Sequence, residues 1–189
     1  MLNPLSDLDA KSVEVGPVIL LGPPGAGKTT VSSLLADMFE PSALVAGDDF
    51  FAFLKRGFIP PWTGPAHHQN DVVIRAAVTA AGRLANDVYT VVYDGVVGPW
   101  FLGTFAESSN AERLHYAMLM PSQESCVERV RSRIGHGFTD LDAARHMYHE
   151  FAVADIESRH VVRTTGDATQ IALSVHELVE ADSLLLTSR

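Results

Sequence analysis

The stretch LLGPPGAGKTT, Leu20 to Thr30, limits what this chain can fold into more than any other part of it. Within it GPPGAGKT, Gly22 to Thr29, satisfies G-x-x-x-x-G-K-[ST]. It stands between an apolar run that reads as a strand and an amphipathic run that reads as a helix, the setting in which this spacing makes a phosphate cradle. Glycines let the backbone close on an anion, successive N–H groups converge on it, and the helix N-terminus adds partial positive charge. Gly22, Pro23, Pro24, Gly25, Ala26, Gly27, Lys28, Thr29 and Thr30 are therefore expected to hold a nucleotide, read as ATP. Lys28 is placed to reach the β- and γ-phosphates, and the Thr29 hydroxyl to bind Mg²⁺.

Around this loop, short β-rich runs alternate with helical patterns, which implies an α/β fold with a parallel sheet covered by helices on both faces. The strands are expected at Val18 to Leu21, Ala43 to Ala46, Tyr89 to Tyr93, His115 to Met120 and His160 to Thr164. Helical spacing runs from Thr29 to Phe39, Val72 to Ala85, Gln123 to Arg133 and Ala168 to Ala181. With 189 residues, 47% of them hydrophobic, the chain suffices for one well-buried core, and a single domain over 1–189 is expected. Two segments escape the alternation. Residues 50–70 mix prolines with aromatics and read as a substrate-side insertion, and residues 134–152, rich in His, read as a lid.

The formal net charge of -9 argues against a grip on nucleic acid by phosphate neutralisation. The one cysteine, Cys126, cannot form an intrachain disulfide, and no apolar run approaches the ~20 residues of a membrane span. Residues 1–16 lack the basic and apolar regions of a signal peptide. The expectation is a cytoplasmic protein with a small-molecule substrate, no nucleic acid and no membrane, its oligomeric state left open.

Carboxylates supply the next constraint. In TVVYDGVVG, Asp94 ends a strand, where it can hold Mg²⁺ through water, although DG is also a hairpin signal. Gly95 follows, where ATPases of the AAA type usually place a water-activating glutamate, so hydrolysis as the main activity loses ground. The three lysines, Lys11, Lys28 and Lys55, include none in an N-K-x-D pattern, which argues against a GTP switch. In ALVAGDDFF, Asp48 and Asp49 end the second strand, on the edge where ligands of open α/β sheets gather. Strand alternation sends them to opposite sides; Asp48 is assigned as the base toward an acceptor hydroxyl and Asp49 as a substrate contact. The pair could instead cap the helix that follows. Trp62, His67, Gln69 and Asn70, with Trp100 beyond Asp94, suit a polar small molecule with an apolar face, or else pack the insertion onto the sheet. His67, His68, His136, His146 and His149 leave a zinc site as a minor alternative.

The P-loop, GDDFF, VVYDGVVGPWF and ERVRSR together resemble the small P-loop kinases that include chloramphenicol phosphotransferase, with zeta-toxin and gluconate kinases more distant. The likeness runs from about Val18 to Gly166 and is strongest to ATP-binding proteins of that group with no assigned acceptor. It implies a three-layer P-loop NTPase fold with a five-stranded parallel sheet of order 2-3-1-4-5 and a lid. It also implies ATP- and Mg²⁺-dependent transfer of the γ-phosphate to an alcohol, with antibiotic-like compounds among the acceptors. By the same resemblance Asp48 is the base, lid arginines among Arg129, Arg133 and Arg145 clamp the phosphates, with Arg133 and Arg145 preferred, and TTGDA, Thr164 to Ala168, shapes an adenine pocket. The competing expectations are an ATP sensor that transfers nothing and a toxin-like kinase of nucleotide sugars.

Overall fold

The computed structural model of the chain describes residues 15–95, 98–132, 138–163 and 166–186. Five strands, β1 (Val18–Leu21), β2 (Ser42–Ala46), β3 (Thr90–Asp94), β4 (His115–Leu119) and β5 (Val161–Val162), pair in parallel in the order β2-β3-β1-β4-β5. Among the described residues six α-helices surround them: α1 (Lys28–Ala36), α2 (His67–Ala85), α3 (Leu102–Ser109), α4 (Gln123–Ser132), α5 (Leu141–Ala152) and α6 (Ala168–Glu180). The sheet order and the P-loop architecture are those expected from the sequence.

Side-chain alternation builds two cores from the same strands. Ile19 and Leu21 of β1, Val91 and Tyr93 of β3, and Tyr116 and Met118 of β4 face one core, which α2, Phe105 of α3 and Phe151 of α5 complete. Val18 and Leu20, Val92, and Ala117 and Leu119 face the other, closed by Val31 and Leu35 of α1 and Ile171, Val175 and Val179 of α6. Because both faces are covered, the central strands read as continuous apolar runs rather than as alternations of apolar and polar. Each fully buried Leu, Ile or Val contributes about 1.5–3 kcal/mol relative to exposure.

Local chemistry sets the helix starts. The Asp140 carboxylate accepts from the N–H groups of Asp142 and Ala143 (3.0 and 2.9 Å) at the start of α5. At α6 a capping box forms, with Gln170 N–H donating to Asp167 Oδ1 (2.9 Å) and Asp167 N–H donating to Gln170 Oε1 (3.2 Å).

The elements differ from the expectation in three places. α2 begins at His67 rather than Val72, because its first turn is polar and its buried face opens only at Val73. α3 was not anticipated, since LGTFAESS carries too few large apolar residues to display a period. β5 is two residues long, and His160, expected to open it, lies buried in a 3₁₀ turn (Ser158–His160); Thr164 falls outside the described residues. Among the described residues no helix is long and apolar enough to cross a membrane.

Candidate functional site

The phosphate loop follows β1 and runs into α1 without a side-chain cap: Gly27 occupies the N-cap, and no acidic residue stands in the first turn. The first N–H groups of α1 therefore have no capping carboxylate or hydroxyl from the N-cap residue, which suits an anion. Within the loop Ala26 N–H donates to the Pro23 carbonyl (3.1 Å). Gly25 adopts φ 82°, and a Cβ there would lie 2.2 Å from the Cys126 carbonyl oxygen, so only glycine lets the loop lie against α4. Lys28 is buried and its Nζ donates to the carbonyls of Gly22 (2.9 Å) and Pro23 (3.3 Å), holding the ammonium along the loop, while Thr29 and Thr30 are exposed. From outside, Arg129 of α4 donates through Nη1 to the carbonyls of Gly25 (3.2 Å) and Ala26 (3.4 Å).

Two carboxylates reach this loop by strand register. Asp94 pairs with Leu20 of β1 on one side and Ala46 of β2 on the other, which sets it beside both the loop entrance and Gly47–Asp48. Its place between two parallel neighbours excludes the hairpin reading of DG. Asp48 and Asp49 lie in a 3₁₀ helix, Gly47–Phe53, whose N-cap is Ala46, so neither takes the capping position. A Cβ on Gly95 would sit 3.5 Å from Asp48 Oδ1, which shows that Asp48 leans toward the end of β3. Beneath them the Tyr93 hydroxyl packs against Gly47 so closely that a Cβ there would lie 2.0 Å from it. Burial first, then the charges of Asp48 and Asp94, push the Tyr93 phenol well above its ordinary range, so it stays a neutral floor under the pair.

A cleft of ≈ 680 Å³ joins these groups. Pro24, Gly25, Gly27, Lys28 and Thr29 line it with Asp48 and Asp94, and Trp62, His67, Asn70 and Trp100 line it on the substrate side. Asp49, Gln69 and Arg145 do not. The Gln69 amide instead donates to the Ile59 carbonyl (2.7 Å) and accepts from its N–H (2.8 Å), and Asn70 Nδ2 donates to Pro61 O (2.7 Å), so the insertion is tied to the first turn of α2. Arg145 pairs with Asp142 (2.7 Å) on the side of α5 that meets α4, near Glu124, Glu128 and Arg131. Arg133 and His136 lie outside the described residues.

Sequence reasoning did not single out Phe51, Phe58, Phe138, Met147, Glu150 and Phe151, which also line the cleft. His146, Met147, Glu150 and Phe151 form one face of α5, a spacing that was readable but had no partner surface in the sequence. Trp62 meets Phe138 edge-on (centroids 4.9 Å), His67 stacks on Phe101 (5.7 Å), and Trp100 packs at 5.9 Å from Phe151.

Thr29 and Asp94 offer an alcohol and a carboxylate to the same cleft, a hard-oxygen set that fits Mg²⁺ and offers nothing to a thiophilic metal. Among the described residues no three His, Cys, Asp or Glu side chains gather where they could hold a metal ion, and the zinc alternative finds no support there.

No protein-family model and no curated protein sequence matches the chain. Solved structures do. The tunicamycin resistance protein of Deinococcus radiodurans superposes with a TM-score of 0.64 at 17% identity, over 92% of this chain and 99% of its own. A gluconokinase from Sinorhizobium meliloti gives 0.62 at 18%, over 89% and 93%. The APS kinase of Mycobacterium tuberculosis, in complex with AMPPNP and APS, gives 0.62 at 17%, over 87% and 97%. At these identities the likeness establishes the fold.

Proposed function

We propose that the chain is a cytoplasmic, ATP- and Mg²⁺-dependent kinase that transfers the γ-phosphate to a hydroxyl of a small molecule. The observation that carries this is the continuity of one cleft from the phosphate loop, past two carboxylates, to an aromatic chamber large enough for an acceptor. Neighbours named as gluconokinase and APS kinase, the latter solved with AMPPNP, support the choice of phosphoryl transfer on this fold.

In this reading Lys28 and the loop N–H groups hold the β- and γ-phosphates, and Thr29 with Asp94 holds Mg²⁺, which when bound neutralises phosphate charge. Asp48 orients the acceptor hydroxyl and takes its proton as the oxygen bonds to the γ-phosphorus. The bond from that phosphorus to the β,γ-bridging oxygen breaks, and ADP leaves with the electron pair. Trp62, His67, Asn70 and Trp100 position the acceptor. Gln69 acts one layer back, by holding the insertion at Ile59, and Asp49, which does not line the cleft, has no contact that gives it a part. Arg129, already on the loop, steadies it, and Arg133 is the arginine that the resemblance assigns to the phosphates, while Arg145, paired with Asp142 outside the cleft, has no part in the clamp.

The test is transfer of labelled γ-phosphate from ATP with Mg²⁺ into hydroxylated antibiotics, sugars, nucleosides and nucleotide sugars. Asp48→Asn should lose roughly 100-fold or more of the transfer rate with ATP affinity nearly unchanged. Full transfer by that variant removes Asp48 as the base. A labelled nucleotide sugar as the one product would favour the toxin-like alternative.

A further inference from the structure

The substrate side of the cleft carries a charge pattern that narrows the acceptor. Its walls are aromatic, with Trp62 and Phe138 on one side and Trp100 with Phe151 on another, and both tryptophans of the chain lie here. The charged side chains set among them are acidic: Asp48 on β2's exit and Glu150 on α5. Among the described residues, Lys28 is the one Lys or Arg that lines the cleft, and its ammonium lies on the Gly22 and Pro23 carbonyls at the nucleotide end.

Among the amide and guanidinium donors near the substrate side, those described are engaged elsewhere, which leaves the neutral indole N–H groups of Trp62 and Trp100 and the imidazoles of His67 and His146 facing the cleft. Asn70 gives its Nδ2 to Pro61 O, Gln69 its amide to Ile59, Arg75 pairs with Asp71, and Arg145 with Asp142 outside the cleft. Glu150 is partly exposed, with His146 Nε2 at 3.6 Å one turn earlier, an imidazole that is charged only when protonated. A cleft that holds both a carboxylate and aromatic faces can attract an ammonium twice over, by charge-assisted hydrogen bonding and by the ring quadrupoles. A carboxylate, sulfate or phosphate on the acceptor would meet Glu150 and Asp48, and Lys28, the one described Lys or Arg lining the cleft, is held at the nucleotide end.

We propose that the acceptor is an amino alcohol with an aromatic or otherwise apolar body, its ammonium held by Glu150 and its ring by Trp62 and Trp100, and that acidic acceptors are excluded. This rests on the kinase reading for the fate of the hydroxyl but not for the binding preference, so the two fail separately. Three isosteric probes suffice: para-(hydroxyethyl)benzylamine, para-(hydroxyethyl)toluene and para-(hydroxyethyl)benzoate. Each is titrated, with AMPPNP and Mg²⁺ present, into the full chain and followed by tryptophan fluorescence, which reports on this cleft because both tryptophans line it. The amine should bind at least about tenfold more tightly than the benzoate. Glu150→Gln should erase most of that preference and Glu150→Asp should keep part of it, a contrast that loss of fold would not produce. Benzoate binding as tightly as the amine, no binding by any probe, or an unchanged preference in Glu150→Gln overturns the proposal. The expected order without phosphate transfer would leave it standing and remove the kinase reading instead.

Discussion

Three side chains, those of Lys28, Asp48 and Asp94, carry the proposed chemistry. Lys28 Nζ donates to the carbonyls of its own loop, and in the proposed reading this sets the ammonium in place before a phosphate arrives. Lys28→Ala should abolish ATP binding or turnover while leaving the melting temperature in the absence of nucleotide nearly unchanged; an unaltered turnover rate, read in a coupled assay, would sink the phosphate-loop assignment. That these three residues gather at one cleft was legible in the sequence, because the phosphate-loop spacing places Lys28, Asp94 ends a strand and Asp48 closely follows one. Gln69 was not: its amide finds partners in the backbone of Ile59, and no pattern along the chain announces a bond between a loop and a helix turn. Glu150 escaped for the complementary reason, since it acquires meaning only once α5 is laid against the cleft.

The strands were readable because burial on both faces makes them short and uniformly apolar, and the longer helices because their buried faces repeat at 3.6 residues. α3 and the first turn of α2 lacked that signal: one rests mainly on Phe105, the other is wholly polar. α6 packs on α1, and its start depends on the Asp167–Gln170 capping box. Asp167→Ala should lower stability by about 1 kcal/mol, measured as a shift in the urea midpoint with the slope preserved. α5 is tied to β4's exit by Tyr148, whose hydroxyl donates to Pro121 O (2.9 Å), and to the core by Phe151. It can therefore present Glu150 and Met147 to the cleft from a fixed base.

For the whole molecule, the sheet separates chemistry from anchorage. The cleft lies at the carboxyl ends of β1, β2 and β3, while His115 opens β4 and the buried His160 stacks on Tyr116 just before β5. There Asp182 pairs with Arg113 and accepts from His115 Nε2 (3.2 Å), and His160 Nδ1 donates to Tyr116 O (3.0 Å). Burial, more than any other influence, pushes both imidazoles below their ordinary range. With folded values below the unfolded value of about 6.5, the unfolded chain binds more protons, so stability falls as pH drops through that value and below it. The carboxylate of Asp182 is depressed by its hydrogen bond from Arg113 and then by that from His115, so its contribution, present above about pH 4, is lost only in stronger acid. Urea midpoints should therefore decline from pH 7.5 to about 5.5, and His160→Asn should flatten that decline; a flat profile in the parent chain would contradict the burial of neutral imidazoles.

In the proposed reading the cleft transfers phosphate to an alcohol rather than to water or to nothing. A phosphorus NMR time course of ATP and Mg²⁺ with the acceptor panel tests it most directly, because it resolves phosphomonoester, inorganic phosphate and unreacted nucleotide in one sample. A phosphomonoester signal should grow with ADP and be lost in Asp48→Asn. Inorganic phosphate as the only product, or bound ATP that persists unchanged across the panel, would contradict it, the second outcome leaving a nucleotide sensor in place of a kinase.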